Sequence, residues 1–172
     1  YKNAIYEAFL KRVAKFEVPT YVAEGQVLQI GEADFEVLYP QESVAGQEFS
    51  NINNSSIVLK VSYDDFSLLL TGDAEHEVEE LLLNLDIRAQ VLKAGHHGSR
   101  TATGNNFLAE VAPEVVVIQV GKDNQFDHPH QKTLDNLGSL GVQVKRNDLN
   151  GRIRIMYGPD YPVYSISHSN VN

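Results

Sequence analysis

Asp73, His96, His97, His128 and His130 are the side chains whose types and spacing could do chemistry together. Asp73 follows the apolar run Ser67-Leu68-Leu69-Leu70 within Thr71-Gly72-Asp73-Ala74. His96 and His97 follow a second apolar run, inside Gly95-His96-His97-Gly98-Ser99. A carboxylate and imidazoles are the donor types of an oxygen- and nitrogen-ligated metal site, and an imidazole beside such a site can move a proton. The chain has no cysteine, which excludes disulfides and thiolate ligands, so any metal here takes His and carboxylate.

For these residues to meet, their loops must reach one edge of a sheet. Ser67 to Leu70 reads as a strand covered on both faces. Glu75 to Leu85 has Val78, Leu81, Leu82 and Leu85 at helical spacing, and Ala89 to Leu92 reads as a strand returning parallel to the first. Such a crossover puts both loops at the C-terminal edge, where layered α/β folds bind ligands. Asn105 to Val111 is a short predicted helix stopped by Pro113, and Val115 to Val120 is the most apolar strand. The loop from Gly121 to His130 follows it, then a helix from Gln131 to Leu140 that stops at Gly141. If that strand is also parallel, His128-Pro129-His130 faces the same edge.

The remaining segments frame this unit. Ala4 to Phe16 reads as an amphipathic helix stopped by Pro19. Val27 to Ile30 with Phe35 to Tyr39, and Ser56 to Tyr63 with Phe66 to Thr71, read as two hairpins, separated by a polar loop from Gln41 to Asn54. Val142 to Arg146 and Arg152 to Tyr157 read as a closing hairpin around Asp148 to Gly151, with Tyr161 to Ser167 as an edge strand. The order predicts a layered α/β fold with a mixed sheet in a single domain, residues 1–172. A hydrophobic fraction of 42% over 172 residues is enough for one core. No apolar run is long enough to span a membrane and no signal sequence opens the chain. The first residue is Tyr rather than Met, and the expectation is a piece of a longer protein. The net charge of -9 argues against a broad basic face for nucleic acid, though metal ions can supply positive charge locally.

Asn53-Asn54-Ser55-Ser56 before a strand, Leu70-Thr71-Gly72-Asp73-Ala74, Leu92-Lys93-Ala94-Gly95-His96-His97-Gly98-Ser99 and His128-Pro129-His130 together resemble the metallo-β-lactamase fold. More narrowly, they resemble the C-terminal hydrolase domain of the bacterial competence DNA-uptake channel family, ComEC. The resemblance runs through nearly the whole chain and implies an αββα sandwich. In that superfamily the first ligands come from a His-x-His-x-Asp-His motif, or a close variant, and none is present here. The resemblance therefore implies the C-terminal part of such a domain, truncated at its N-terminus and holding the later ligands. It implies Asp73 as a carboxylate bridging two divalent ions, zinc or manganese, and one ligand from the histidine pair. It also implies DNA as substrate, cut by metal-activated water, and the membrane channel portion of a parent protein as partner. The location implied is the extracytoplasmic side of a bacterial membrane, or the cytoplasm for a stand-alone chain. The uncovered apolar face of a half-sandwich would be covered by the missing N-terminal half or by a second copy.

Each residue also has a simpler reading. Asp73 could be the N-cap of the following helix. On extended backbone His96 and His97 would point opposite ways, so one ligates and the other faces substrate; His97 is read as the ligand and His96, with Asp73, as catalytic. His128, His130, Ser99 and Asn54 are candidate substrate contacts, and each also fits a polar loop or turn. Ser99 lacks the Gly-x-Ser-x-Gly setting of a nucleophile. His76 and His168 read as solvated. The alternatives in function are a related hydrolase of a small ester, lactone or phosphodiester, and a non-catalytic module that binds DNA or a partner.

Overall fold

Apolar alternation in the first half of the chain and continuous apolar runs in the second produce one sheet of two characters. The computed structural model describes residues 4–16, 25–44 and 46–169, with the side chains of 162–164, 168 and 169 outside that description. The main sheet has strands β1 (Val27–Ile30), β2 (Ala33–Tyr39), β3 (Val58–Tyr63), β4 (Phe66–Leu70), β5 (Val91–Lys93), β6 (Val115–Ile118) and β7 (Gln143–Arg146), in that spatial order. From β1 to β4 neighbours are antiparallel and from β4 to β7 they are parallel. The parallel half is built by crossovers through α2 (His76–Leu82), α3 (Asn105–Val111) and α4 (Gln131–Leu140). The helix α1 (Ala4–Lys15) precedes the sheet; the expected stop at Pro19 lies outside the described residues.

The sheet separates two layers. Leu69, Leu92 and Val116 are in register on one face and buried, with Val78 and Leu82 of α2, Phe107, Leu108 and Val111 of α3 and Leu137 of α4 in the same core. Burying each such side chain stabilises the fold by about 1.5–3 kcal/mol. On the opposite face Leu68, Val91 and Val115 are in register, and Leu59, Val61, Leu68 and Leu70 are half-buried. There Tyr157 of β8 (Arg152–Gly158) stacks on Phe66 at 5.1 Å and meets Tyr63 edge-on at 5.9 Å. Among the described residues the second sheet is β8 with β9 (Tyr161–Ser169). The predicted mixed α/β class is the architecture observed.

One predicted pairing is corrected. Val142 to Arg146 and Arg152 to Tyr157 do not form a hairpin: β7 joins the main sheet parallel to β6, with Val144 beside Val116. Between β7 and β8 lies the short helix α5 (Asn147–Asn150), held by Arg146 N–H donating to Asn150 Oδ1, an Arg146–Asp148 ion pair and Asn147 Nδ2 donating to the Gly151 carbonyl. Continuing the right-handed crossover lets Val144 extend the buried row under α4, which a local hairpin would forgo. The expected edge strand instead pairs with β8, with Ile155 opposite Ile166.

Candidate active site

The C-terminal ends of β4, β5 and β6 carry three loops, 71–75, 94–103 and 119–130, and side chains and backbone tie them together. Lys93, at the end of β5, donates from Nζ to the carbonyls of Gly72 (2.8 Å) and Ala94 (3.0 Å), joining the loop of Asp73 to the loop of the histidines. Burial pushes the Lys93 ammonium below its ordinary range, while the Asp73 carboxylate pulls it the other way. The Thr71 hydroxyl donates to the Lys93 carbonyl and His96 N–H to the Gly72 carbonyl. The third loop docks where Gly98, at φ +81°, leaves space: a Cβ there would sit 2.6 Å from Pro129 Cβ. His130 N–H then donates to the Gly98 carbonyl at 2.9 Å.

His96 and His97 both adopt left-handed backbone, at φ 43° and 55°. This replaces the extended alternation expected from sequence, and non-glycine residues in that region cost about 1–3 kcal/mol each unless their surroundings hold them. Here the surroundings do. His97 Nδ1 lies 2.7 Å from the carbonyl oxygen of Gln119, which can only accept, so Nδ1 carries the proton. Nε2 then faces Asp73, 3.4 Å from Oδ1. His96 Nδ1 lies 3.0 Å from Glu75 Oε1, which also accepts from Asn53 Nδ2 at 2.8 Å. Burial alone would raise the Glu75 pKa, but hydrogen bonds from Asn53 and Thr101 and the charge of His96 outweigh it, and the carboxyl lies below its ordinary range.

The other imidazoles gather beside this pair. The His128 ring is 5.4 Å from that of His96 and 4.7 Å from that of His130. Burial lowers the pKa of His128, and the charges of His130, His96 and His97 lower it further against the pull of Asp73. His130 Nδ1 accepts from Arg100 N–H at 3.1 Å, which spends that nitrogen on holding the loop after Gly98. Asp73, His96, His97, His128 and His130 are therefore brought together at one edge. Ser99 and Asn54 spend their side chains on holding loops. Ser99 is buried, with its hydroxyl against Thr101. Asn54 accepts from Glu75 N–H and donates to Glu77, securing the start of α2. Asp73 is not the N-cap of α2; that position is Glu75. His76 is paired with Glu79, and the side chain of His168 lies outside the described residues. Glu75, Lys93 and Gln119 were missed from sequence. Glu75 looked like an ordinary acidic residue at a helix start, and Lys93 and Gln119 act on carbonyls or through one, which no side-chain spacing encodes.

The donor chemistry fits a divalent cation at Asp73 and His97. An imidazole whose Nδ1–H is held by a carbonyl while Nε2 faces a carboxylate is oriented as metal-binding histidines are. Two ligands fall short of the three or four protein ligands that zinc sites normally have. Among the described residues no group of three or more His, Asp or Glu side chains is arranged to hold a metal ion.

No protein-family model matches the chain. Its sequence is 40% identical over 147 residues to ComE operon protein 3 of Bacillus subtilis, covering 84% of this chain and 18% of that protein. It is 34% identical over 128 residues to competence protein ComA of Neisseria gonorrhoeae, covering 73% of this chain and 18% of that protein. It is 32% identical over 126 residues to recombination protein 2 of Haemophilus influenzae, covering 73% and 16%. The chain thus spans less than a fifth of the length of these relatives. Among solved structures, a proposed metal-dependent hydrolase from Parabacteroides distasonis superposes with a TM-score of 0.51 at 11% identity, over 81% of this chain and 62% of that one. Among the described residues no helix is long and apolar enough to cross a membrane. The chain is homologous to a segment of the competence proteins, and its mixed α/β fold is the ComEC-like, metallo-β-lactamase type shared with a metal-dependent hydrolase.

Proposed function

We propose that this domain hydrolyses DNA phosphodiesters with a divalent cation, as the soluble hydrolase part of a competence-associated membrane protein. The observation that carries this reading is the Asp73–His97 pair, with Gln119 fixing the imidazole so that Nε2 faces the carboxylate. Asp73 and His97 would hold the cation, zinc or manganese, and residues outside this chain would complete the ligand set and a second ion's site. A bound cation there supplies charge neutralisation at the phosphate and a lower pKa for water. His96, with its Nδ1–H committed to Glu75, has Nε2 left to hold or give a proton to the leaving oxygen. His128, whose pKa burial holds below its ordinary value, can accept one. The competence relatives support a competence-associated role; DNA as substrate, the membrane-channel portion of the parent protein as partner and a place on the extracytoplasmic side are what the family resemblance implies.

The test is cleavage of single- and double-stranded DNA by the domain within its longer protein, with added manganese or zinc. Asp73→Ala and chelation should each abolish cleavage. His97→Ala should lower metal content, whereas His96→Ala should mainly lower turnover. Equal cleavage by the Asp73→Ala protein would overturn the mechanism, and metal-dependent hydrolysis of a small ester without DNA cleavage would move the assignment to a related hydrolase.

A further inference from the structure

A groove of about 390 Å³ opens directly from the candidate active site, sharing His97 and His128 with it and continuing past Gln119, Asn124 and Asn147 to Phe126. No Lys, Arg, Asp or Glu is among the residues that line it. A phosphate would find no counter-charge there, but a flat, uncharged group with polar edges would. Phe126 is 63% exposed, and its loop is tightly determined. Asn124 Oδ1 accepts from the N–H groups of Phe126 (3.1 Å) and His128 (3.0 Å), while its Nδ2 donates to the carbonyls of Gly121 (3.1 Å) and His128 (2.7 Å). One side chain thereby locks the backbone that presents the ring, and the ring stands 5.8 Å from that of His128, tilted by 32°.

We propose that this groove is a nucleobase subsite, in which Phe126 stacks on a base of a single-stranded polynucleotide adjacent to the phosphodiester at Asp73 and His97. The inference rests on the phosphodiesterase reading of the site. A substrate whose phosphate lies at Asp73 must continue in some direction, and the groove that begins at His97 and His128 is open to it. Every base offers a π-face, so an aromatic platform binds without sequence preference. In a duplex that face is covered by its neighbours, so the strand must be single. The exposed amide of Gln119 can meet a base edge. In an acidic chain, stacking also supplies contact that does not depend on basic side chains.

The test compares binding of a short fluorescein-labelled oligothymidylate with that of the same strand bearing abasic sites, by fluorescence anisotropy on the domain within its longer protein with manganese present. The native chain should bind the base-bearing strand about tenfold more tightly, Phe126→Ala should erase that preference, and Phe126→Tyr should keep it. Because Phe126 lies at the surface, an unchanged unfolding midpoint in Phe126→Ala accompanies the expected result. Equal binding of both strands, unaffected by Phe126→Ala, would overturn the subsite and leave the phosphodiesterase reading standing. Failure to bind either strand would overturn both.

Discussion

Two regions of this chain are similarly apolar and fare very differently. In β5 and β6, Val91, Leu92 and Val116 are fully buried, because α2, α3 and α4 cover one face and neighbouring strands flank both edges. In β1 all four residues are exposed, Val27, Leu28 and Ile30 among them, and α1 buries no residue although it carries Ile5 and Phe9. What separates the regions is position rather than composition: β1 is an edge strand with a single paired neighbour, whereas β5 and β6 sit inside the sheet. The same contrast bears on the site. All of its loops hang from the buried strands, whose rigidity holds Asp73 and the histidines in place, and none hangs from the exposed end.

The sharpest way to break this contrast is a matched pair of truncations. Leu92→Ala should cost about 2–5 kcal/mol by chemical denaturation, and Leu28→Ala no more than about 0.5 kcal/mol. Equal losses would mean that the exposed end is covered in solution. A matched pair of glycines comes next. Gly31 and Gly98 both have positive φ, but an added Cβ meets nothing at Gly31 and strikes Pro129 at Gly98. Gly31→Ala should therefore cost the left-handed penalty, about 1–2 kcal/mol. Gly98→Ala should cost more and displace His128 and His130, visible as shifts of their imidazole resonances. Undisturbed histidine resonances in a folded Gly98→Ala protein would contradict the packing of the third loop.

The smallest expected effect is a pH dependence confined to the site half. The Glu75 carboxyl lies below the ordinary value of 4.5, so the folded state favours its ionised form. The stability this adds is fully present above pH 4.5 and is lost as pH falls through the lowered folded value. Thermal unfolding of Glu75→Gln should accordingly show a shallower loss of Tm on the acid side than the native chain. A parallel acid limb in both proteins would remove Glu75 from the network that orients His96.

Much of this architecture is legible in the residues. Continuous apolar runs at Ser67 to Leu70 and Val115 to Val120 announce buried strands, and a strand, helix and strand of those lengths close only as a parallel crossover. That is enough to bring Asp73 near His96 and His97. The hairpin expected between β7 and β8 failed because two short strands with a turn between them look alike whether they pair with each other or with distant edges. Here the row of Leu69, Leu92 and Val116 offered Val144 a half-buried place against the core that local pairing did not. The placement of Ser99 and Asn54 was equally unreadable, since a hydroxyl or amide serves a cleft or a loop with the same chemistry.

By itself the sequence determined the donor set, with no thiolate available, the strands that carry it and the edge at which it meets, because these follow from side-chain type and from apolar periodicity. Only the tertiary structure decided how each donor is held. The left-handed turns of His96 and His97, the carbonyl of Gln119 on Nδ1 of His97, Glu75 behind His96 and Lys93 on the carbonyls of Gly72 and Ala94 depend on backbone groups brought together from separate loops. Every residue carries the same backbone groups, so no pattern of side chains along the chain marks which of them will be used; the packing of the loops does.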